Sequence, residues 1–156
     1  MQDPKERPPS GLHDHLGYWV DRLRGLVSGS FEALIAEQGV TVAQWSALIT
    51  LYRGEAQTPA DIARHIDVDP GALTRLLDRL ESKGLIRRVR DRSDRRSVTI
   101  ELTTAARKIT PVLAGLADEN DRAFFGVLSA AERRQFQRLL AKLLRGHNVE
   151  TPAGWM

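Results

Sequence analysis

The sequence predicts a mainly α-helical protein with one small β-hairpin that forms a wing. Apolar residues recur at spacings of three and four over most of the chain, which is typical of amphipathic helices. Two helix starts, Thr58-Pro59 and Asp69-Pro70, follow each other closely, as they do in a helix-turn-helix. Beyond Gly84 the apolar spacing changes to two, and this alternation indicates a short pair of strands.

The composition fits one soluble domain. The 156 residues include 23 lysines and arginines against 20 acidic residues, a formal net charge of +3, and 42% are hydrophobic. The absence of cysteine from the sequence excludes disulfides, thiolate metal sites and thiol catalysis. No apolar run approaches the ~18 residues of a membrane-spanning helix, and no apolar stretch follows a basic start. We therefore expect a cytoplasmic protein with no membrane partner, too small for two independent catalytic domains.

The first part of the chain predicts two helices. Residues 1–11 are charged and rich in proline, and we expect them to form a loose arm. A long first helix follows, with one apolar face from Leu12 to Ile35, and it ends near Gly39. Thr41 and Gln44 form a capping-box pattern that starts a second helix, which ends at the next glycine.

The helix-turn-helix candidate consists of a short third helix, about residues 59–65, and a fourth helix over residues 70–83. The N-terminal face of the fourth helix is small and polar and is formed by Gly71, Ala72, Thr74 and Arg75. Such residues suit contact with base edges, because small side chains permit close approach and arginine can donate two hydrogen bonds to guanine. Farther along this helix, Asp78, Arg79 and Glu81 are expected to interact within the protein.

The predicted hairpin is strongly basic. Residues 87–96 include two aspartates and six arginines, namely Arg87, Arg88, Arg90, Arg92, Arg95 and Arg96. Arginine binds phosphate through paired hydrogen bonds and fits a narrow, electronegative minor groove. The alternative is a solvated charged turn, but the two aspartates of this segment cannot neutralise six arginines. Asp94 is either a brace for Arg95 or Arg96 or a simple turn residue.

The last third of the chain returns to helical spacing. One helix is predicted from Thr104 to Leu128, and Pro111 is expected to kink it. Ser129 and Glu132 form another capping box, which starts a last helix whose broad apolar face needs a partner helix. Trp155 lies in a short tail and is either disordered or docked.

The order of four helices, a wing and two further helices resembles the MarR (multiple antibiotic resistance regulator) family. The stretch LTRLLDRLESKGLIRRVRDRSDRRSVTIELT, from Leu73 to Thr103, carries the resemblance, and its wing portion is the most specific part. The resemblance covers the chain from about Leu12 to Leu144. It departs from the family at Ala106, where glycine is frequent, and this affects local packing only.

The resemblance implies an obligate homodimer with a winged helix-turn-helix in each subunit. The implied segments are a flexible arm (1–11), a dimerisation helix (12–40), the winged helix-turn-helix (41–103), two dimerisation helices (104–149) and a tail (150–156). Residues at the start of the fourth helix would enter the major groove, and Asp94, Arg95 and Arg96 would serve the minor groove. The complete predicted DNA-binding set is Thr58, Gly71, Ala72, Thr74, Arg75, Arg92, Asp94, Arg95 and Arg96.

Members of this family often sense small aromatic or phenolic molecules in a cleft between the dimerisation helices and the winged domain. The candidate ligand-binding residues here are His13, Tyr18, Trp19, Arg22 and Trp45. Aromatic rings with a guanidinium and an imidazole suit an aromatic carboxylate. The alternative is that Trp19 and Trp45 belong to the apolar core. His13 and His15 lie on different sides of a helix, and the sequence predicts no metal and no cofactor.

Two functions fit these observations. The first is a dimeric, sequence-specific repressor that binds a pseudo-palindromic operator in double-stranded DNA and is released by a small aromatic acid or phenolic ligand. The second is a winged-helix DNA-binding protein without a ligand-sensing role. An enzyme is disfavoured, because the sequence has neither a G-x-S-x-G elbow nor a glycine-rich phosphate loop.

Overall fold

The computed structural model describes residues 8–90, 98–151 and 155 and divides into two compact units, Met1–Ala117 and Asp118–Met156. The elements are a 3₁₀ turn (Leu12–Asp14), α1 (Leu16–Ala36), α2 (Val42–Arg53), α3 (Pro59–His65), α4 (Pro70–Ser82), β1 (Ile86–Arg90), β2 (Val98–Leu102), α5 (Thr104–Phe125) and α6 (Ala130–Gly146). Helix α5 runs across the division between the units. This architecture confirms the predicted fold class. Among the described residues, no helix is long and apolar enough to cross a membrane.

The predicted helix starts in the first unit are formed caps. Thr41 Oγ1 accepts the Gln44 N–H at 3.2 Å, and Gln44 Oε1 accepts the Thr41 N–H at 3.2 Å. The side chains of Thr58 and Asp69 accept N–H groups in the first turns of α3 and α4, and both helices begin with a proline. Gly84, with φ of 67°, follows α4 and adopts the left-handed conformation that glycine tolerates best. These local signals were sufficient to place both helices of the helix-turn-helix.

The first helix differs from the prediction, because it begins at Leu16 and a 3₁₀ turn precedes it. His15 separates the two elements with an extended backbone, φ −96° and ψ 123°. The Asp14 carboxylate accepts the Gly11 N–H at 2.8 Å, and this local turn competes with a helix. Trp19 Nε1 donates to the His13 carbonyl at 2.9 Å and so holds the turn against the start of α1.

The core of the first unit joins the wing to the helices. Its fully buried side chains come from helices α1 to α4 and from both strands. They include Ile35, Leu48, Ile62, Leu73, Leu77, Leu80, Ile86 and Ile100. The two strands are antiparallel, with Ile86 opposite Leu102 and Arg90 opposite Val98. The Ile100 N–H also donates to the Gln57 carbonyl at 2.8 Å. The hairpin is therefore fixed to the segment that leads into α3.

The second unit consists of the end of α5 and α6. Ser129 and Glu132 form the predicted capping box, in which the Ser129 N–H donates to Glu132 Oε2 at 2.8 Å. The rings of Phe125 and Phe136 pack with their centroids 5.9 Å apart. Helix α5 ends at Phe125, three residues before the predicted end, and Pro111 lies inside it without ending it. The kink expected at Pro111 stays a prediction.

Candidate nucleic-acid interface

The first turn of α4 brings the predicted recognition residues to one end of the helix. Asp69 Oδ1 accepts the Ala72 N–H at 2.9 Å and fixes this end. Gly71, Thr74 and Arg75 are exposed, and the Thr74 hydroxyl bonds back to its own helix. A Cβ on Gly71 would lie only 3.2 Å from Asp69 Oδ1, so glycine suits this crowded position. The helix start thus presents small side chains and one guanidinium to solvent.

A groove of about 230 Å³ lies between the start of α2 and the exposed side of α4. Arg75 and Arg79 line it from α4, and the other lining residues are Thr41, Ala43, Gln44, Val68, Ala72 and Leu76. The sequence assigned Arg75 to DNA and Arg79 to contacts within the protein. In the described part of the chain, neither arginine has an ion pair, and both are exposed. Arg79 is therefore a functional candidate that sequence reasoning missed.

Neighbouring arginines on the helices are paired with acids. Arg53 is the last residue of α2, and its Nε lies 2.6 Å from Oε1 of Glu55, which follows the helix. Arg64 Nη2 lies 3.1 Å from Asp61 Oδ1 on α3. These local partners reduce the positive charge that the two side chains offer to another molecule. Arg75 and Arg79 differ in that no acid among the described residues pairs with either of them.

Two arginines of the hairpin are also paired. Arg87 Nη2 lies 2.6 Å from Glu101 Oε2 on the opposite strand. Arg88 binds both Asp78 and Glu81, which lie on α4. The charge count over residues 87–96 omitted these acids, because they lie outside that segment. The hairpin is consequently less positive than the sequence alone predicted, although Asp78 and Glu81 do interact within the protein as expected.

The other predicted DNA contacts are Thr58 and four residues of the wing, and Arg90 is a further arginine of the hairpin outside the predicted set. Thr58 is half-buried, and its hydroxyl donates to Asp61 Oδ2 at 2.7 Å while accepting the Asp61 N–H. Its polar group is therefore already used at the start of α3. Arg90 is exposed at the end of β1 and forms no ion pair with the described residues. The predicted DNA contacts of the wing, Arg92, Asp94, Arg95 and Arg96, lie outside the described residues.

The predicted ligand-binding residues at the start of α1 form one cluster. The centroid of the His13 ring lies 4.9 Å from that of Tyr18 and 5.5 Å from that of Trp19, and the last two are 5.1 Å apart. The Arg22 guanidinium lies 5.9 Å from the centroid of the Tyr18 ring. Trp19 is 50% exposed, so it is not part of the core of this chain. The rings contact each other directly and form a packed surface patch.

Trp45 lies elsewhere. Its ring packs edge-on against Phe31 with centroids 5.0 Å apart, beside the hydrophobic core. Tyr18 and Phe31 are separated by ~20 Å along α1, at ~1.5 Å per residue, so Trp45 and the N-terminal cluster cannot line one pocket in a single chain. Trp45 Nε1 is buried and has no hydrogen-bond partner among the described residues. A buried unpaired donor is costly and suits an acceptor on a ligand.

The histidines near the N-terminus make other contacts. His15 Nε2 lies 3.2 Å from Ser10 Oγ, whereas His13 contacts the rings of the cluster. In the part of the chain that the structure describes, no group of three or more histidine or acidic side chains is arranged to hold a metal ion.

The sequence of this chain is similar to one family model and to individual known proteins. The MarR family model matches residues 40–98. The HTH-type transcriptional repressor MdtR of Bacillus subtilis is 36% identical over 115 residues, which cover 73% of this chain and 74% of MdtR. The multiple antibiotic resistance protein MarR of Escherichia coli is 33% identical over 106 residues, 67% of this chain and 74% of that protein.

Two solved structures have a similar fold. A mutant of MarR from Escherichia coli, complexed with operator DNA, superimposes with a TM-score of 0.76 at 30% identity and covers 86% of this chain and 99% of that one. CouR from Rhodococcus jostii, bound to p-coumaroyl-CoA, superimposes with a TM-score of 0.74 at 26% identity and covers 86% of this chain and 95% of CouR.

Proposed function

Because this chain belongs to the MarR family, we propose that it is a repressor that binds a pseudo-palindromic operator in double-stranded DNA as a homodimer and is released by a small aromatic ligand. The observation that carries this proposal is the pair of exposed arginines on α4, Arg75 and Arg79, for which the described residues supply no acidic partner. Helices of this kind enter the major groove with their N-terminal residues, where arginine binds guanine. A chromosomal target agrees with a cytoplasmic location.

Charge compensation supports the DNA partner. Arg53, Arg64, Arg87 and Arg88 already have acidic partners within the protein. The charges of Arg75 and Arg79 are left for an external anion, and DNA phosphates supply closely spaced negative charge. The MarR protein complexed with operator DNA is similar in fold over most of this chain, which favours the same use of α4.

The surface of α1 supports a homodimer. The 3₁₀ turn and the first half of α1 expose a continuous set of apolar side chains, namely Leu12, Leu16, Trp19, Val20, Leu23 and Leu26. Leu16 has the largest exposed fraction of this set, 82%. Contiguous apolar surface of this kind marks an interface more often than a solvated face. In the second unit, α6 likewise exposes Leu139 and Leu143.

Sedimentation equilibrium tests the dimer. The wild type should sediment at twice the chain mass of 17.4 kDa, and Leu16→Glu should shift it towards the monomer, because the carboxylate would be buried without a partner. Tyr52→Glu changes an exposed aromatic residue on α2 and is the matched control. A wild type that stays monomeric at micromolar concentration would remove the dimer from the proposal.

Trp45 supports a ligand-sensing role. Its unpaired Nε1 lies beside Phe31 near the junction of α1 and α2, where a carboxylate or phenolic oxygen could accept a hydrogen bond while an aromatic ring packs against the protein. A ligand changes the affinity for DNA only if it binds the DNA-binding state of the protein and the released state with different affinities. The ligand-bound dimer would therefore hold its two recognition helices at a spacing that does not match the operator.

Two experiments test the DNA and ligand parts separately. Selection of bound duplexes from a random pool should yield a pseudo-palindrome with half-sites about one helical turn apart, and recovery of no common sequence would contradict an operator-binding role. Thermal denaturation with benzoic acids, hydroxybenzoic acids and phenols should reveal a stabilising ligand. Trp45→Phe should abolish that stabilisation, while Trp19→Phe should preserve it. If no compound stabilises the protein, the alternative of a DNA-binding protein without ligand sensing is favoured.

A further inference from the structure

One ammonium group ties the C-terminal end of α4 to the junction between α1 and α2. Lys83 Nζ lies 2.6 Å from the Gly39 carbonyl oxygen and 2.9 Å from Gln44 Oε1. Lys83 is the C-cap that follows α4, Gly39 lies in the turn after α1, and Gln44 lies in the first turn of α2. Three helices therefore meet at a single side chain.

The two acceptors of Lys83 are held in place by their own contacts. Gln44 is 3% exposed, and its Oε1 also accepts the Thr41 N–H of the capping box. The Gly39 N–H donates to the Ala36 carbonyl at 2.9 Å, which fixes this turn to the end of α1. A charged donor forms stronger hydrogen bonds than a neutral one. The positions of the acceptors therefore set the position of the end of α4.

Gln44 connects this junction to the candidate interface. Its side chain lines the groove between α2 and α4 to which Arg75 and Arg79 also contribute. The Lys83 ammonium therefore holds one wall of that groove through Gln44 and anchors the helix that carries both arginines. Removal of the ammonium would leave α4 packed on the core by its leucines and would remove the bonds from Lys83 to Gly39 and Gln44.

We propose that Lys83 is a positioning residue for DNA recognition, which makes the orientation of α4 follow the end of α1. This inference rests on the proposed function, because it assumes that α4 contacts DNA. Lys83 itself makes no contact with a base. A movement of α1, caused at the dimer interface or beside Trp45, would be transmitted through Lys83 to α4. It would thereby shift Arg75 and Arg79.

The test compares Lys83→Met with the wild type on the selected duplex and on a scrambled duplex. Methionine has a similar length and lacks the ammonium donors, and Lys108→Met, on the exposed side of α5, is the control for the loss of one charge. We expect Lys83→Met to weaken binding to the selected duplex about tenfold and to leave binding to the scrambled duplex unchanged. Lys108→Met should change neither.

Three outcomes would overturn the inference. Equal affinity of Lys83→Met and the wild type for the selected duplex would remove the positioning role. A decrease of about one in the slope of log K against log salt would indicate a direct phosphate contact. Equal weakening on both duplexes with a lower melting temperature would indicate a purely structural role. Lys83→Arg retains a charged donor, so it should recover part of the affinity.

Two further measurements test the contact itself, and the second of them needs no DNA. Lys83→Met and Gln44→Met should be non-additive on the selected duplex, because both remove the same contact, and additivity would contradict the tie. In the free protein, hydrogen exchange at the amides of Gly39 and Val40 should be faster in Lys83→Met than in the wild type. Unchanged exchange would overturn the inference, whereas failure of the wild type to select any duplex would overturn the proposed function instead.

Discussion

Arg88 Nη2 lies 2.6 Å from Asp78 Oδ1, so strand β1 is bonded directly to α4. Glu81, one turn farther along α4, accepts hydrogen bonds from both the guanidinium and the backbone N–H of Arg88. Partial burial lowers the pKa of the Arg88 guanidinium, but the hydrogen bonds and charges of Asp78 and Glu81 outweigh it, and the pKa is raised above its ordinary value. Strand β1 and α4 are thus linked through a guanidinium whose positive charge the two acids stabilise.

This link predicts unequal roles for two adjacent arginines. Arg88→Met should lower the free energy of unfolding by about 1 kcal/mol, because it leaves two acids of α4 unpaired. Arg87→Met should cost less than about 0.5 kcal/mol, because the Arg87 side chain is 68% exposed and its pair with Glu101 is screened by solvent. Urea denaturation of both variants measures the difference. Equal losses would show that the ion pairs of Arg88 with α4 stabilise the protein no more than the Arg87–Glu101 pair does.

The turn between α3 and α4 predicts a rank order of substitutions at Asp67. This residue has φ of 55°, in the left-handed region that glycine, asparagine and aspartate tolerate. Asp67→Val should destabilise the protein by about 1–2 kcal/mol, because a β-branched side chain is strained there. Asp67→Asn and Asp67→Gly should stay close to the wild type. A valine variant as stable as the glycine variant would contradict the strain argument.

The capping box of α6 predicts a pH-dependent contribution to stability. Hydrogen bonds from the Ser129 side chain and backbone lower the pKa of Glu132 in the folded protein. The stabilisation is therefore complete above the pKa of an unfolded glutamate, about 4.3, and it is lost as the pH falls through the lower folded value. The melting temperatures of the wild type and Glu132→Gln should differ at pH 7, and the difference should shrink as the pH falls below about 4.3. Glu119→Gln, at an exposed position on α5, should follow the wild type throughout.

Local sequence signals predicted the elements that local interactions create. The caps at Thr41, Thr58, Asp69 and Ser129 were identified because a capping side chain and the backbone N–H that donates to it lie three residues apart. The MarR resemblance is confirmed by the family comparison, and membership confirms a DNA-binding regulator in place of an enzyme. The residues assigned to DNA and ligand contact stay predictions.

Contacts between distant parts of the chain could not be predicted in the same way. The partners of Arg88 lie seven and ten residues away on another element, so a charge count within the hairpin missed them. The start of α1 depended on a competing turn at Asp14, which a periodic apolar pattern does not reveal. The separation of Trp45 from the N-terminal rings follows from the length of α1 and its packing on α2, which only the fold supplies.

The central claim is that the exposed arginines of α4 recognise operator DNA, and a comparison of the affinities for two duplexes tests it most directly. Fluorescence anisotropy should be measured with the selected and scrambled duplexes for the wild type, Arg75→Ala and Arg64→Ala. We predict that the wild type prefers the selected duplex by about a thousandfold or more, that Arg75→Ala loses about 1–3 kcal/mol of that preference, and that Arg64→Ala, whose arginine is paired with Asp61, resembles the wild type. Equal affinity of the wild type for both duplexes, or undiminished preference in Arg75→Ala, would contradict the account.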